Sequence, residues 1–380
     1  MTGTVFHPLD LPLTRDEAAR QDLVSALRAH VLNDMARGLK QRWSERIAPA
    51  LPEPARNGED VARAMAAQPY LAFYTATRVH AQRMVWAAVE GQVAREAARL
   101  ETMGEDGPAT LALDPDLPMP PTVTRDVHLM PGSYAGGEGA AAGAIYEHGL
   151  GVFSFGLMGR RLDDIGQSIT LWLKARHPEF APADILDLGC AVGHQTLPWA
   201  EAYPQARVTG LDVAAPCLRY ARKRANALGI AAHFLQADAR AVPLPDASQD
   251  LVFSSMFLHE LPEADIRAVF AECRRLLRPG GLMLHYELPP NAPPMDPFDQ
   301  FYLDWDATWN CEPHYKAYRD LSPRQLALDA GFAPERCFEA VVPSLAWYGR
   351  DAAVAGAGLG EDGIGRLADG VKWYVHGAWA

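Results

Sequence analysis

Asp184-Ile-Leu-Asp-Leu-Gly-Cys-Ala-Val-Gly193 is the stretch whose reading decides the fold. An apolar run of strand length ends in Asp187, and Gly189 and Gly193 then open a turn. Glycine lets the backbone adopt dihedrals that a side chain forbids and approach a ligand closely. Nicotinamide-binding folds use a similar turn, so the glycines alone select no ligand. The acid is more informative. A pyrophosphate needs a bare helix N-terminus. Asp187, two residues ahead of the first glycine, repels a pyrophosphate and suits an ammonium, directly or through water.

Working outward, short apolar runs at 185–188, 208–211, 233–236, 251–254 and 282–286 alternate with helical patterns near 195–202, 216–228 and 263–277. That alternation predicts an α/β fold, a doubly wound and mostly parallel sheet covered on both faces. Acids recur at the strand ends. Val208-Thr-Gly-Leu-Asp-Val213 places Asp212 where a carboxylate accepts hydrogen bonds from both hydroxyls of a ribose. Gln236-Ala-Asp-Ala-Arg240 places Asp238 to accept from an adenine amino group, with the backbone at Ala239 facing the ring edge. A Leu-Pro-Asp turn at 244–246 follows. Next comes a strand that runs into Ser254, Ser255 and His259, and then the turn Arg278-Pro-Gly-Gly281.

These ordered features resemble the class I S-adenosylmethionine-dependent methyltransferases, particularly the small-molecule branch that includes the ubiquinone and menaquinone biosynthesis enzymes. The resemblance spans 184–288 and extends to a late helix at 321–332, with Ser322 as its cap, and to strands at 337–342 and 371–377. It implies a seven-stranded Rossmann-like sheet whose last pair is a hairpin, with S-adenosyl-L-methionine as cofactor. The implied cofactor-binding residues are Asp187, Gly189, Cys190, Gly193, Asp212, Val213, Asp238, Ala239 and Ser255. In related enzymes the helices before the core close over the cofactor and contact its carboxylate, which here points to Tyr146 and Arg160. Ala191 stands where many members have glycine, and it tightens the turn.

The implied reaction is methyl transfer to a small-molecule acceptor by in-line displacement. The alternatives are a catalytically silent protein that binds the same cofactor and a nicotinamide-dependent oxidoreductase. For an acceptor that must lose a proton, His259 is the first candidate base, since its loop follows a strand at the carboxyl edge of the sheet. His285 and Glu287 are further candidates. A long insertion at 289–320 reads as a lid. It carries Tyr302, Trp305 and Trp309 among carboxylates, a mixture that suits an aromatic or cationic acceptor or else packs its rings onto the domain. Tyr302, Trp305, Trp309 and His285 are the expected acceptor-binding residues.

The remaining sequence sets bounds. Residues 1–125 predict a mainly helical N-terminal region that serves as accessory, dimerisation element or substrate cover. It has helices over 14–46 and 59–101, the latter interrupted near Pro69, and a Pro/Gly-rich linker over 104–124. Residues 126–380 predict the cofactor-binding domain. The chain has 380 residues and a formal net charge of -12, which disfavours nucleic acid and anionic membranes. The basic run Arg219, Arg222, Lys223, Arg224 reads as a solvated helix face. No apolar run approaches the roughly 20 residues of a membrane span. Five scattered cysteines form no CxxC pair, so no metal site is expected and a reducing cytoplasm fits.

Overall fold

The apolar run ahead of the glycines folds as the central strand of an eight-stranded sheet. The computed structural model describes residues 8–136, 139–291, 295–359 and 371–380. The strands are β1 (Thr110–Ala112), β2 (Asp184–Leu188), β3 (Arg207–Asp212), β4 (His233–Gln236), β5 (Gln249–Ser255), β6 (Leu277–Glu287), β7 (Cys337–Pro343) and β8 (Lys372–Trp379). They lie in the order β1-β4-β3-β2-β5-β6-β8-β7. Strands β1 to β6 pair in parallel, and β8 runs antiparallel to both β6 and β7. Ile185, Leu186 and Leu188 of β2 are buried on both faces, as expected of a strand under helices on either side. Because β2 has β3 on one side and β5 on the other, the chain reverses its winding there. Such a switch point leaves a crevice at the carboxyl ends of the strands.

One feature differs from the sequence expectation. The sheet has eight strands, not seven, because the segment read as a linker contributes β1. The Thr110 N–H donates to Ala232 O at 3.0 Å, and the Ala109 N–H donates to Asn226 Oδ1 at 2.8 Å. A three-residue edge strand is too short to show a period and is held by neighbours distant in sequence. The expected antiparallel final pair is present, with the helix Leu345–Ala355 in the long connection between its members.

The N-terminal helices cover the crevice. A helix starts at Arg15, where Thr14 and Glu17 form a reciprocal capping box. It continues through a wider turn at Val31–Met35 into Ala36–Arg42. Pro69 opens the helix Pro69–Arg95 at its first position, where its missing N–H is harmless. The helix Ala141–Phe153, hidden in a Gly/Ala-rich stretch, packs between Pro69–Arg95 and Ala215–Leu228. Its small residues permit this close packing: a Cβ at Gly149 would sit 2.3 Å from the Trp86 ring. No described helix is long and apolar enough to cross a membrane.

In the basic run on Ala215–Leu228, Arg219 is exposed, but the other three cations are held by acids rather than by solvent. Arg222 and Lys223 reach Glu105, and Arg224 is fully buried with its Nε 2.8 Å from Glu147 Oε1. Glu147 also accepts from His194 Nε2 at 2.9 Å and from the Tyr220 hydroxyl. One buried carboxylate therefore ties the cover helix to the glycine turn and to the helix after β3. Glu147→Ala leaves Arg224 buried without its counter-charge and is expected to cost about 3–5 kcal/mol, read as a lower urea midpoint. A loss below about 1 kcal/mol, the scale of an exposed pair, would contradict that role.

Candidate functional site

The carboxyl ends of β2 to β6 open into a cavity of about 440 Å³, roofed by the N-terminal helices and by the helix Pro297–Trp309. Its walls include Tyr146, Asp187, Gly189, Cys190, Asp212, Val213, Asp238, Ala239, Ser255, His259 and Tyr302. The strand-end residues named from the sequence thus meet in one space.

The floor is the turn after β2. Gly189 has φ +72°, and a Cβ there would lie 2.2 Å from the Phe257 ring, so the position needs glycine. Ala191 has φ +44°, a left-handed backbone that costs an alanine about 1–2 kcal/mol. Its N–H offsets part of that by donating to Asp212 Oδ2 at 2.8 Å, while Asp212 Oδ1 accepts from the Ala214 N–H at 2.9 Å. Burial raises the Asp212 pKa against these backbone donors. Each Asp212 oxygen keeps a second lone pair free for a ribose hydroxyl. Asp238 is clamped by both Nε and Nη2 of Arg240, which holds its carboxyl below the ordinary range. The Ser255 hydroxyl is buried and has no partner among the described residues.

Asp187 is the most constrained of these groups. It is 1% exposed; its Oδ2 accepts from Thr196 Oγ1 at 2.5 Å, and its Oδ1 is buried without a hydrogen-bond partner among the described residues. Burial, reinforced by the charge of Asp212, pushes its pKa well above the ordinary value. An orphaned acceptor on a buried acid at a ligand cavity fits the ammonium of an amino-acid moiety, which would supply both the donor and the counter-charge. The residues present therefore fit S-adenosylmethionine, with Asp187 at its amino group and Asp212 at its ribose.

Across the cavity stands His259. Its Nδ1 lies 2.7 Å from Glu287 Oε2, and Glu287 Oε1 accepts from the N–H groups of Phe257 and Leu258 at 2.7 and 2.6 Å. A carboxylate only accepts, so Nδ1 carries the proton and Nε2 is left for a ligand. Burial lowers the His259 pKa, but the charge and hydrogen bond of Glu287 outweigh it and raise the value to about 9. Beside it is a residue that the sequence did not single out. His128 Nδ1 is 2.9 Å from Glu312 Oε1 and its Nε2 is 3.3 Å from Glu260 Oε1. Burial lowers it, yet Glu312 and Glu260 raise its pKa to about 10. Its φ of +55° belongs to an irregular segment, so no period announced it, and its carboxylates come from two distant loops. Among the described residues no cluster of His, Cys, Asp and Glu is arranged to hold a metal ion.

Five expected site residues lie elsewhere. Gly193 shapes the turn without lining the cavity, and Arg160 is exposed away from it. His285 sits one pleat deeper than Glu287 on the same face of β6, with its Nδ1 2.7 Å from Ser254 Oγ and its ring stacked on Phe270, outside the cavity wall. Trp305 stacks on Tyr74 with ring centroids 5.0 Å apart and bonds Thr75, so it glues the insertion to the N-terminal helices. Trp309 is 46% exposed and outside the walls. The acids of the insertion are also committed: Asp306 to Arg78 at 2.8 Å and Asp304 to Lys316 at 3.3 Å. The expected cage of rings and free acids for a cation therefore does not form.

Residues 185–281 match a family model described as a methyltransferase domain. A demethylmenaquinone methyltransferase of Thermus thermophilus is 40% identical over 124 residues, covering 33% of this chain and 54% of the relative. A malonyl-[acyl-carrier protein] O-methyltransferase of Xylella fastidiosa is 41% identical over 106 residues, covering 27% and 34%. A trans-aconitate 2-methyltransferase of Azoarcus sp. is 40% identical over 111 residues, covering 29% and 41%. The chain thus spans about half or less of the length of these curated relatives.

Asp187→Asn removes the buried charge and keeps the shape. The unliganded variant is expected to melt at the same temperature or higher, since a raised carboxyl pKa means the ionised form opposes folding above the unfolded-state pKa. Its affinity for S-adenosylhomocysteine, measured by calorimetry, is expected to fall by about 1.5–3 kcal/mol. Unchanged affinity would remove Asp187 from the site.

Proposed function

We propose that this chain, whose residues 185–281 belong to the methyltransferase domain family, transfers a methyl group from S-adenosylmethionine to a small-molecule acceptor. The observation that carries the reading is the buried, half-satisfied carboxylate of Asp187 beside Asp212 at a glycine turn. When bound, the sulfonium nucleoside supplies an electrophilic methyl group. The protein's own contribution is threefold. The strand-end acids bind and orient the nucleoside. The N-terminal helices and the insertion at 289–320 act as a cover that excludes water, an assignment supported by Arg28, Arg78 and Tyr302 in the cavity wall. Holding nucleophile and methyl in line contributes up to about 7–11 kcal/mol through proximity.

His259 is the proposed general base. Its Nε2 accepts the proton of the acceptor, while Nδ1–H donates to Glu287, which stabilises the imidazolium as it forms. Glu260 Oε1, 4.0 Å from Nε2, adds to that stabilisation. Two relatives are named for O-methylation of malonyl-[acyl-carrier protein] and for methylation of trans-aconitate. The second name supports a small acceptor that bears carboxylates.

A base with its pKa raised to about 9 is mostly protonated at pH 7 and gains function as pH rises. Formation of S-adenosylhomocysteine from labelled cofactor is therefore expected to increase tenfold per pH unit up to about 9 and then level off. His259→Ala is expected to flatten this limb and lower kcat by about 10²–10⁴-fold with cofactor affinity retained. Turnover equal to wild type would discard the base assignment. Absence of any methyl transfer together with absence of cofactor binding would discard the methyltransferase reading itself.

A further inference from the structure

The cavity extends from the glycine turn to a second, outer half beneath the N-terminal helix, and its charges there do not balance. Arg28 is 1% exposed and lines the cavity. Its Nε donates to Phe153 O at 3.0 Å, its Nη1 donates to Gln82 Oε1, and its guanidinium lies 3.8 Å over the Phe153 ring. Among the described residues it has no carboxylate partner, and its Nη2 makes no hydrogen bond. The other Arg and Lys side chains in the walls are paired: Arg37 with Asp34, Lys40 with Asp299, Arg78 with Asp306, and Arg240 with Asp238 and Asp265.

Asp306 is the acid whose charge acts on Arg28, but Arg78 occupies it in a fork, Nε to Oδ1 at 2.8 Å and Nη2 to Oδ2 at 3.3 Å. Arg78 Nη1 also shares Gln82 Oε1 at 3.1 Å. Two buried guanidiniums therefore face one carboxylate, which leaves one positive charge uncompensated. The neighbourhood of His259 has the opposite balance, with His128 and His259 set among Glu260, Glu287 and Glu312. The Phe153 ring, 6.3 Å from the His128 ring, separates the two ends.

A buried cation without a counter-charge costs stability and persists where a ligand supplies the charge. We infer that the outer half of the cavity is a seat for a carboxylate of the acceptor, held by the free edge of the Arg28 guanidinium at a point remote from the atom that is methylated. A carboxylate fits better than a phosphate, because one uncompensated charge matches a monoanion and a dianion would leave a further charge buried. The planar fork also matches carboxylate geometry. Asn33, on the wider turn Val31–Met35, lines the same wall with its carboxamide oxygen buried and unpartnered. Rotation of that amide presents its NH2 to the same group. This inference deepens the methyltransferase reading by naming a feature of its substrate.

The test uses matched acid and amide probes on the full chain with S-adenosylhomocysteine present: hexanoate against hexanamide, and benzoate against benzamide, followed by calorimetry. In the wild type each acid is expected to bind at least about tenfold tighter than its amide, the scale of a hydrogen bond to a charged group. Arg28→Gln is expected to erase that difference while changing S-adenosylhomocysteine affinity less than about twofold; Arg28→Lys, which keeps the charge but not the fork, is expected to retain part of it. Equal binding of acid and amide by the wild type overturns the proposal, and so does a difference that survives in Arg28→Gln. A tenfold loss of S-adenosylhomocysteine affinity in Arg28→Gln also overturns it, by assigning the guanidinium to the carboxylate of the cofactor. If that variant does not fold, the wild-type comparison and Arg28→Lys decide. Failure of S-adenosylhomocysteine to bind the wild type counts against the methyltransferase reading instead, and the acid–amide comparison remains measurable without it.

Discussion

A carboxylate that is buried with one oxygen unsatisfied sets the terms for the rest of this molecule. Asp187 sits near the end of the central strand, buried between β3 and β5. In isolation its ionised form is disfavoured by burial and by Asp212 nearby. A cation arriving at Oδ1 relieves both penalties. The left-handed turn serves the same purpose: the strained Ala191 aims its backbone N–H at Asp212, and Gly189 keeps side-chain bulk out of the floor. Local strain and burial are thus stored where binding offsets them.

The cover and the floor form one mechanical unit because Glu147 joins them. This carboxylate holds Arg224, His194 and Tyr220, and so fixes Tyr146 over the glycine-turn end of the cavity. Farther out, the insertion binds the N-terminal helices through aromatic stacking and the Arg78–Asp306 pair. Charge is graded along the resulting cavity, acidic around the two raised histidines and basic at Arg28. Such a gradient orients a ligand with opposite ends, and the buried setting strengthens it relative to water.

Much of the glycine-turn half of the cavity was legible in sequence, because it depends on local patterns. Strand-length apolar runs, glycines at a turn and acids at strand ends occur within one segment each, and Asp187, Asp212 and His259 all face the cavity. The outer half was not legible, because its groups come from segments far apart. His128 meets Glu260 and Glu312, and Arg28 meets Phe153, only after the helices pack. The rings of the insertion misled for a related reason. Composition alone does not distinguish a tryptophan that lines a pocket from one that, like Trp305, seals an interface. The edge strand β1 had no pattern to read, since three residues take their conformation from β4. Arg224 likewise read as a surface charge because its partner lies in a stretch whose helix was hidden by glycine and alanine.

A crystal structure of the chain with S-adenosylhomocysteine is the most direct test of the central claim. The account predicts the amino group of the ligand at hydrogen-bond distance, roughly 2.7–3.2 Å, from Asp187 Oδ1, with both ribose hydroxyls on Asp212. A nucleoside seated elsewhere in the cavity, or an amino group turned to solvent while Asp187 keeps Thr196 as its sole partner, would contradict it.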